Sequence, residues 1–322
     1  MQFQLSTGFH WERIGLLPYK TDCFDPVILD GKVYIRTADK PVLQYTIDTN
    51  VWDSLPPSPV DGRNACTMTS LNGQLVLAGG HKNKLLGVPT DKITVWDAEK
   101  QQWDQKAYPP MPLARSRAGC AGYKQYLIVA GGERMVPVLN SVDILDTSNQ
   151  TWYHAPPMPH KGNTLKMLVA GDYLYVLIIG QNDFNISKIT MRVHLPDLIS
   201  RKQTDSKTFR DANIWERLPD VPYYASSLFA IGDQIFSAGG RKDGLLSMTA
   251  EAYLVRSSKV SSDIHVLNLN IGSWVKVGEM PEAFWDGVCA VLPNGKLLQV
   301  GGQTSVYGYL NTVYIGESQS QS

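Results

Sequence analysis

The hexapeptide LVLAGG at residues 75–80 ends an apolar run on two adjacent glycines, and this pattern recurs along the chain. Three further copies are LIVAGG (127–132), IFSAGG (235–240) and LLQVGG (297–302). The long interval between the second and third of these four copies is filled by YLYVLIIG (173–180), whose glycine pair is degraded, and KVYIRT (32–37) precedes the first copy. The sequence therefore predicts six repeat units.

Each unit shows the marks of four strands. An Asp-Gly or Asn-Gly pair at 30–31, 72–73 and 294–295 predicts a two-residue hairpin, because both central residues of that turn need φ > 0. Downstream, a third strand ends in an acid or amide, and a tryptophan follows in a fourth strand; the tryptophans are Trp11, Trp52, Trp103, Trp152, Trp215 and Trp274. Proline-rich connectors such as LPPSP and PPMP come next. Four strands repeated about every 50 residues are typical of β-propeller blades.

Two alternative interpretations of these motifs do not fit the repeat. A phosphate-binding loop would need a Lys and a Ser/Thr at fixed positions after the glycines, and the copies share no such residues. Trp-Asp pairs occur as in another propeller family with a shorter period, but here they fall at different places within the units. The glycines are therefore expected to serve the backbone, where a side chain would obstruct close packing or a positive φ.

Together the glycine pair, the third-strand acid and the spaced tryptophan resemble the kelch repeat over essentially the whole chain, as in the kelch domains of BTB-kelch ubiquitin-ligase substrate adaptors. The resemblance implies an all-β, six-bladed kelch β-propeller with four antiparallel strands per blade. The last unit lacks a tryptophan strand, so FHWERIG (9–15) is expected to supply the outer strand of blade 6 and close the ring.

We expect a single propeller domain over residues 1–322. Its predicted parts are the outer strand of blade 6 (9–15), blade 1 (19–58), blade 2 (59–110), blade 3 (111–158), blade 4 (159–221), blade 5 (222–280), the rest of blade 6 (281–316) and a tail (317–322). Blades 1 and 4 lack the glycine pair, so their second strands are expected to end differently.

Composition narrows the range of partners. The 322 residues carry 30 Lys+Arg against 30 Asp+Glu, which gives nucleic acid or an anionic membrane no net charge to bind. The N-terminus shows no secretory leader and no apolar run reaches about 18 residues, so a cytoplasmic protein is expected.

The four cysteines are scattered along the chain, which predicts buried, reduced thiols on first strands. They are Cys23, Cys66, Cys120 and Cys289.

Signatures of catalysis are missing from the sequence. It has no GxSxG nucleophile motif, and the histidines lack metal-ligand spacing. We therefore expect a non-enzyme with no catalytic residue, no metal and no cofactor. Because kelch-like folds include sugar isomerases and copper radical oxidases, a small-molecule enzyme of that type is the alternative.

Strands alternate in direction within a blade, so the second-to-third-strand links and the links to the next blade emerge on one face, around the channel mouth. In kelch adaptors that this chain resembles, the residue after the glycine pair and an arginine opening the first strand hold acidic peptides. The post-glycine residues here are His81, Glu133, Arg241 and Gln303, with Asn83 at a second contact position. The strand-opening arginine is matched only by Arg117, and the equivalents elsewhere are Cys23, Ala65, Thr164, Ala225 and Asp286.

Basic residues outnumber acidic ones on this predicted rim. The basic residues are Arg36, Lys82, Arg115, Arg117, Arg134, Arg241 and Lys242, and the acidic ones are Asp22, Asp39, Glu133, Asp243 and Asp286. Arginines and aromatic side chains dominate binding hot spots. The predicted partner-binding residues are Arg36, His81, Asn83, Arg115, Arg117, Arg134, Tyr223, Tyr224, Arg241, Trp285 and Gln303.

Two long insertions interrupt the repeat. Residues 241–262 join the second and third strands of blade 5 and are expected to form a loop that grips a partner. Residues 196–213 join the third and fourth strands of blade 4, and their polar composition predicts a mobile excursion.

The expected function is recognition of a protein or peptide segment that is acidic in character. A ubiquitin-ligase complex is expected as a further partner, joined through domains that this chain does not contain.

Overall fold

Strands make up almost all of the regular structure. The computed structural model describes residues 8–318, apart from 22, 38–39, 59–64, 82–86, 135–136, 181–185, 206–208, 210–212, 243–259 and 306–307. The chain divides into two compact units, a larger one (25–183 and 189–218) and a smaller one (1–24, 184–188 and 219–322). No helix in the described part of the chain is long and apolar enough to cross a membrane.

Four antiparallel sheets, blades 1 to 4, follow the N-terminal strand β1 (Phe9–Leu16) and account for the larger unit. Blade 1 contains β2 (Cys23–Leu29), β3 (Lys32–Thr37), β4 (Leu43–Thr46) and β5 (Val51–Ser54). Blade 2 contains β6 (Thr67–Leu71), β7 (Gln74–Ala78), β8 (Ile93–Asp97) and β9 (Gln102–Asp104). Blade 3 contains β10 (Gly119–Tyr123), β11 (Tyr126–Ala130), β12 (Val142–Asp146) and β13 (Thr151–Ala155). Blade 4 contains β14 (Asn163–Ala170), β15 (Tyr173–Gly180), β16 (Ile186–His194), helix α1 (Leu195–Ser200) and β17 (Glu216–Leu218).

Blades 5 and 6 lie in the smaller unit. Blade 5 contains β18 (Ser227–Ile231), β19 (Gln234–Ala238), β20 (Asp263–Asn268) and β21 (Ser273–Glu279). Blade 6 contains β22 (Val288–Val291) and β23 (Leu297–Val300), then a two-stranded ribbon, β24 (Gln303–Ser305) with β25 (Gly308–Tyr309), and finally β26 (Thr312–Ser318). Strand β1 pairs with β26 from Phe9 to Leu16 and completes this sheet. The prediction of a six-bladed all-β propeller whose last blade is completed by the N-terminal strand is confirmed.

The core lies between the faces of neighbouring sheets within each unit. Apolar residues of blades 1 and 2, of blades 2 and 3, and of blades 3 and 4 form three successive clusters in the larger unit. Another cluster joins blades 5 and 6 and includes Phe236, Phe284 and Leu297. Since a fully buried large apolar side chain stabilises the fold by about 1.5–3 kcal/mol, these layers supply the main driving force for stacking.

The glycine pairs mark where each second strand passes close to the connector of the next blade. All eight glycines have φ between +54° and +108°. A Cβ on Gly79 would lie 2.3 Å from the Arg115 carbonyl oxygen, and one on Gly239 would lie 2.6 Å from that of Phe284. The second glycine then donates its N–H to the same carbonyl, over 2.9 Å from Gly80 to Arg115 and 2.7 Å from Gly240 to Phe284. The expectation that these glycines serve the backbone is confirmed.

Where the pair is missing, the second strand ends differently, as expected. In blade 4, Ile178 and Ile179 stay in the strand, and β15 pairs with β14 as far as Asn163 opposite Gly180. In blade 1, β3 ends on Arg36 and Thr37, and Arg36 Nε donates to Asp25 Oδ2 over 2.8 Å.

The tryptophans fasten the outer strands to the preceding blade. Trp103 Nε1 donates to the Pro56 carbonyl over 2.8 Å, Trp152 Nε1 to that of Pro109 over 3.1 Å, and Trp215 Nε1 to that of Pro156 over 3.2 Å. Within the smaller unit, Trp274 Nε1 donates to the Pro219 carbonyl over 3.0 Å, and Trp11 Nε1 to that of Glu279 over 2.9 Å. For four of these tryptophans the acceptor is a proline in the connector after the preceding blade, and for Trp11 it is Glu279, the last residue of β21.

One predicted hairpin is wrong. Asp30-Gly31 and Asn72-Gly73 each have two positive φ angles, as a two-residue turn requires, but at Asn294-Gly295 only the glycine does. Strand β22 ends at Val291, and Leu292 N–H donates to the Lys296 carbonyl over 2.8 Å, so five residues form the loop. Pro293 precedes the Asn-Gly pair, and proline has no N–H to continue the strand ladder.

The predicted mobile excursion in blade 4 is also wrong for its described part. Residues 195–200 form helix α1, and Leu195 and Leu198 are buried in the core between blades 3 and 4. Gln203 then exchanges two backbone hydrogen bonds with His154 of β13, over 2.9 and 2.8 Å. Pro196 at the start of the helix and Asp197 in its first turn favour a helix, and this local signal outweighs the polar composition.

The glycine geometry predicts unequal costs for two alanine substitutions. Gly79→Ala should lower the free energy of unfolding by about 2–4 kcal/mol, because the Cβ would both strain φ and strike the Arg115 carbonyl. Gly31→Ala is the matched control, since Gly31 has φ +70° but nothing within 4 Å of its Cβ, and it should cost about 1 kcal/mol. Urea unfolding measures both, and equal losses would contradict the close-approach explanation.

Candidate functional site

The first strands begin and the second strands end at the same end of each sheet, called the glycine end below. Backbone hydrogen bonds link the predicted strand-opening positions there. In the larger unit, Arg117 N–H donates to the Ala65 carbonyl over 2.8 Å, and Thr164 N–H to that of Arg117 over 2.6 Å. In the smaller unit, Cys23 N–H donates to the Asp286 carbonyl over 3.1 Å. These hydrogen bonds therefore connect positions that the repeat had predicted to be equivalent.

Five of these six positions have a left-handed backbone without being glycine. Their φ angles are 55° at Ala65, 52° at Arg117, 51° at Thr164, 54° at Ala225 and 48° at Asp286. Such a conformation costs about 1–2 kcal/mol per residue and persists only where the surroundings fix it. None of these residues is Gly or Asn, so their residue types did not indicate this conformation.

Arg36, predicted to bind a partner, is largely buried in the larger unit. Its guanidinium pairs with Asp25. Burial alone would lower the pKa of Arg36, but this carboxylate raises it.

All four cysteines are buried and free of disulfides, as predicted. Burial raises the pKa of Cys120, which accepts a hydrogen bond from Thr67 Oγ1 over 3.3 Å, so this thiol stays protonated and unreactive.

Arg115 does not lie on an accessible rim, contrary to the prediction. Its side chain is 0% exposed and pairs with Asp143, while Nη1 donates to the Gly131 carbonyl over 3.2 Å. Asp143 also contacts His154 Nδ1 over 2.7 Å. Burial lowers the pKa of Arg115 although Asp143 opposes this. Because a buried carboxylate needs a cation, Arg115 stabilises blade 3 and is not available to a partner.

The other predicted residues of the larger unit differ in accessibility. Arg117 is 46% exposed, and its Nε lies 3.4 Å from Glu133 Oε1. Glu133 is buried and accepts a hydrogen bond from Asn163 Nδ2 over 2.6 Å. Arg134 is exposed, and the Nδ1 of His81 is 2.7 Å from the Gly87 carbonyl of its own loop. Asn83 lies outside the described residues, as do Asp22, Asp39, Lys82 and Asp243 and residues 243–259 of the predicted gripping loop.

Five of the predicted residues come together at the glycine end of blades 5 and 6. Tyr224 and Arg241 exchange two backbone hydrogen bonds of 2.8 and 2.7 Å, and Trp285 and Gln303 exchange two of 3.0 and 2.8 Å. Tyr223 is next to Tyr224, and Arg241 lies 5.1 Å from the centre of the Trp285 ring. Arg241 and Gln303 are only 6% and 5% exposed, so their side chains are set in place by the fold.

Two lysines complete what we call the aromatic–cation cluster: Tyr223, Tyr224, Trp285, Lys188, Arg241 and Lys242. Lys242 Nζ lies 5.6 Å from the centre of the Tyr223 ring, and Lys188 Nζ lies 5.2 Å from that of Tyr224. Lys188 also contacts the Pro222 carbonyl over 3.4 Å. Sequence reasoning missed Lys188 because it comes from β16 of blade 4 and occupies no repeated position.

A second network fixes the Tyr223 ring from its hydroxyl side. Tyr223 donates to Asp263 Oδ2 over 2.6 Å, and Lys276 Nζ lies 2.6 Å from Asp263 Oδ1. Burial alone would raise the pKa of Asp263, but hydrogen bonds from Lys276 and Tyr223 lower it to about 2. His265 packs edge-on against Tyr223, and burial lowers its pKa, which favours the neutral imidazole.

The cluster offers aromatic surface and positive charge at one place. Cations over aromatic faces are attracted by the ring quadrupole, and the rings add no negative charge. Within the described residues, no group of three or more His, Cys, Asp and Glu side chains could hold a metal ion. The arrangement is suited to holding an anionic group against an aromatic surface.

Comparisons with known proteins agree with the repeat. The Kelch motif family model matches residues 114–159, which include all four strands of blade 3. Kelch-like protein 36 of Bos taurus is 24% identical over 241 residues, covering 71% of this chain and 36% of that protein. Kelch repeat and BTB domain-containing protein 2 of Ectromelia virus (strain Moscow) is 24% identical over 155 residues, covering 47% of this chain and 26% of that protein.

A third relative is Kelch-like protein 35 of Mus musculus, 22% identical over 148 residues, covering 46% of this chain and 23% of that protein. The matched regions thus span between 23% and 36% of the relatives' own lengths. Among solved structures, "Structure of YjhT" superposes with a TM-score of 0.68 at 15% identity, covering 94% of this chain and 96% of that one. That likeness concerns the fold.

Six four-stranded antiparallel sheets, four of which carry a glycine pair after the second strand, define the chain as a six-bladed β-propeller. The repeat in its sequence, the match to the Kelch motif over residues 114–159 and the kelch-like relatives all support the resemblance to the kelch-repeat propeller family.

The buried ion pair predicts that Arg115 matters for stability. Arg115→Met should lower the free energy of unfolding by about 3–5 kcal/mol, because the Asp143 carboxylate would lose its buried guanidinium. Arg134→Met, on an exposed residue of the same blade, should change it by less than about 0.5 kcal/mol. Equal effects in chemical denaturation would contradict the structural role of Arg115.

The Asp263 network predicts acid sensitivity. The pKa of this carboxyl is about 2 in the folded chain and about 3.9 when unfolded. Its stabilisation is therefore complete above about pH 4 and is lost as the pH falls toward 2, where we expect a loss of about 1 kcal/mol after solvent screening. Asp263→Asn should remove this part of the acid dependence. A difference in unfolding free energy between the two proteins that stays constant from about pH 6 to pH 3 would contradict the expectation.

Proposed function

We propose that this propeller is a protein-interaction domain whose aromatic–cation cluster binds an acidic segment of a partner protein. The single observation that carries the proposal is the seating of three cations on three aromatic rings at one end of blades 5 and 6, at distances of 5.1, 5.2 and 5.6 Å. Arginine and large aromatic side chains are the residues that most often dominate binding energy.

The preorganisation of the cluster supports the proposal. Backbone hydrogen bonds fix Tyr224 to Arg241 and Trp285 to Gln303, and Tyr223 is held through its hydroxyl by Asp263. The Tyr223 ring and the backbone at Tyr224, Arg241 and Trp285 are therefore ordered before a partner segment binds, which lowers the entropic cost of binding. Lys242 is exposed and would meet a carboxylate at the edge of the cluster.

We further propose that the domain acts without catalysis, as the recognition part of a cytoplasmic ubiquitin-ligase adaptor. Support for an adaptor comes from one relative whose name states that it contains kelch repeats and a BTB domain. The cations of the cluster lie over aromatic rings, and we assign no reacting group to the cluster.

The proposal predicts a charge-dependent loss of binding. Lys188→Glu combined with Lys242→Glu should weaken binding of an immobilised set of Asp/Glu-rich 12-residue peptides by at least about tenfold, and should reduce its salt dependence. The matched control is Lys296→Glu, because Lys296 is an exposed lysine at the other end of the blade 6 strands.

Isothermal titration of the tightest wild-type peptide would measure the effect, with circular dichroism to show that each variant folds. An unchanged dissociation constant in the double variant, or an equal loss in the control, would overturn the cluster as the binding site. Metal analysis and a thermal-shift screen with sugars test the enzyme alternative, which a tightly held metal or a sugar-dependent rise in melting temperature would favour.

A further inference from the structure

The segment after helix α1 lies against the outer edge of blade 3. Lys202 Nζ lies between two aromatic rings, 5.3 Å from the centre of Tyr126 and 5.0 Å from that of Tyr153. The next residue, Gln203, exchanges two backbone hydrogen bonds with His154 of β13. We call residues 201–205 the strap, since they tie the excursion of blade 4 to blade 3.

Thr204 follows these contacts directly and is exposed. The sequence before it is Arg201-Lys202-Gln203, which puts two basic residues three and two positions ahead of a hydroxyl. Among all 12 arginines of the chain, Arg201 alone has a serine or threonine three residues after it. Many protein kinases select an acceptor by this spacing, because acidic residues beside their active site pair with the preceding basic side chains.

We propose that Thr204 is a phosphorylation site for an arginine-directed serine/threonine kinase, and that the strap controls access to it. This inference is independent of the proposed function of the aromatic–cation cluster. In the transfer, the bond between the γ-phosphorus of ATP and the β–γ bridging oxygen breaks, and a bond from that phosphorus to Thr204 Oγ1 forms. The hydroxyl proton passes to the catalytic carboxylate of the kinase, and ADP leaves.

Access to Thr204 is limited because a kinase would have to bind the same residues that already contact blade 3. A kinase must bind Arg201 and Lys202 in an extended chain, but Lys202 is held by Tyr126 and Tyr153, and Gln203 by His154. The strap must therefore open before the phosphoryl group is transferred. Removing one aromatic ring from Lys202 should populate the open state roughly two- to fivefold more.

The phosphate would also act on the strap once it is in place. It adds a charge of about −1.5 to −2 two residues from the Lys202 ammonium, which it can attract away from the aromatic rings. Phosphorylation is thus expected to loosen the contact between the strap and β13. Backbone amide hydrogen exchange at Gln203 and His154 reports that loosening directly, since each N–H is donated to the other residue.

The test treats the full chain with ATP and the catalytic subunit of a kinase that requires arginine at the third position before the acceptor. Mass spectrometry should find one phosphate, on Thr204, with none on Thr204→Ala and an unchanged product on Thr204→Ser. Tyr153→Leu should raise the initial rate about two- to fivefold, whereas Tyr153→Phe, which keeps a ring over Lys202, should leave it unchanged.

A peptide of residues 198–209 provides the reference for the unfolded strap, and we expect it to be phosphorylated faster than the folded chain. Failure of the kinase to modify the peptide, or modification of the peptide but not of the chain, would overturn Thr204 as a site. Equal rates for the wild type and Tyr153→Leu would overturn control by the strap. If Tyr153→Leu does not fold, Tyr126→Leu tests the same contact from the other ring.

Discussion

The close approach of each glycine pair to the next blade is the constraint on which the rest of the structure depends. At Gly79, Gly131 and Gly239 a Cβ would come within 2.3–2.7 Å of a carbonyl oxygen in the neighbouring connector, so no other residue fits. The following glycine donates its N–H to that same carbonyl. One short backbone segment thus ends a strand, reverses the chain and fastens two sheets together. The outer tryptophan makes a second fastening to the preceding connector, so each of these blades is held at both its inner and outer strands.

This arrangement fixes the backbone at the glycine end and leaves the side chains there variable. Glu133, Arg241 and Gln303, each directly after a glycine pair, make the same backbone bridge to the residue before the strand-opening position, namely Ser116, Tyr224 and Trp285. The three side chains nevertheless differ in charge and size. Different side chains therefore stand on the same backbone arrangement, and five non-glycine residues with left-handed φ next to it show how firmly that backbone is held.

The parts that repeat could be predicted from the sequence, because every copy had to meet the same steric demand. Glycine pairs, spaced tryptophans and the N-terminal outer strand led to six blades and to equivalent loop positions. Contacts that do not recur from blade to blade could not be predicted from the repeat. Arg115 matched a basic rim, but Asp143, a carboxylate inside the apolar run VDIL, was a sign that a buried cation must accompany it. Likewise Pro196 and Asp197 signalled helix α1 within a segment whose composition pointed to disorder.

Aromatic rings beside three cations distinguish the candidate site from the basic residues predicted for the rim of the larger unit. In the larger unit, Arg36, Arg115 and Arg117 each lie against a carboxylate, which offsets their charge. In the smaller unit, Arg241, Lys188 and Lys242 lie over aromatic rings, which attract a cation without carrying negative charge. The aromatic rings add apolar contact area beside these three cations, in addition to the cations' other contacts. Counting basic residues along the predicted rim did not single out blades 5 and 6, because five of the seven lie in the larger unit; the aromatic neighbours of these three cations favour that end.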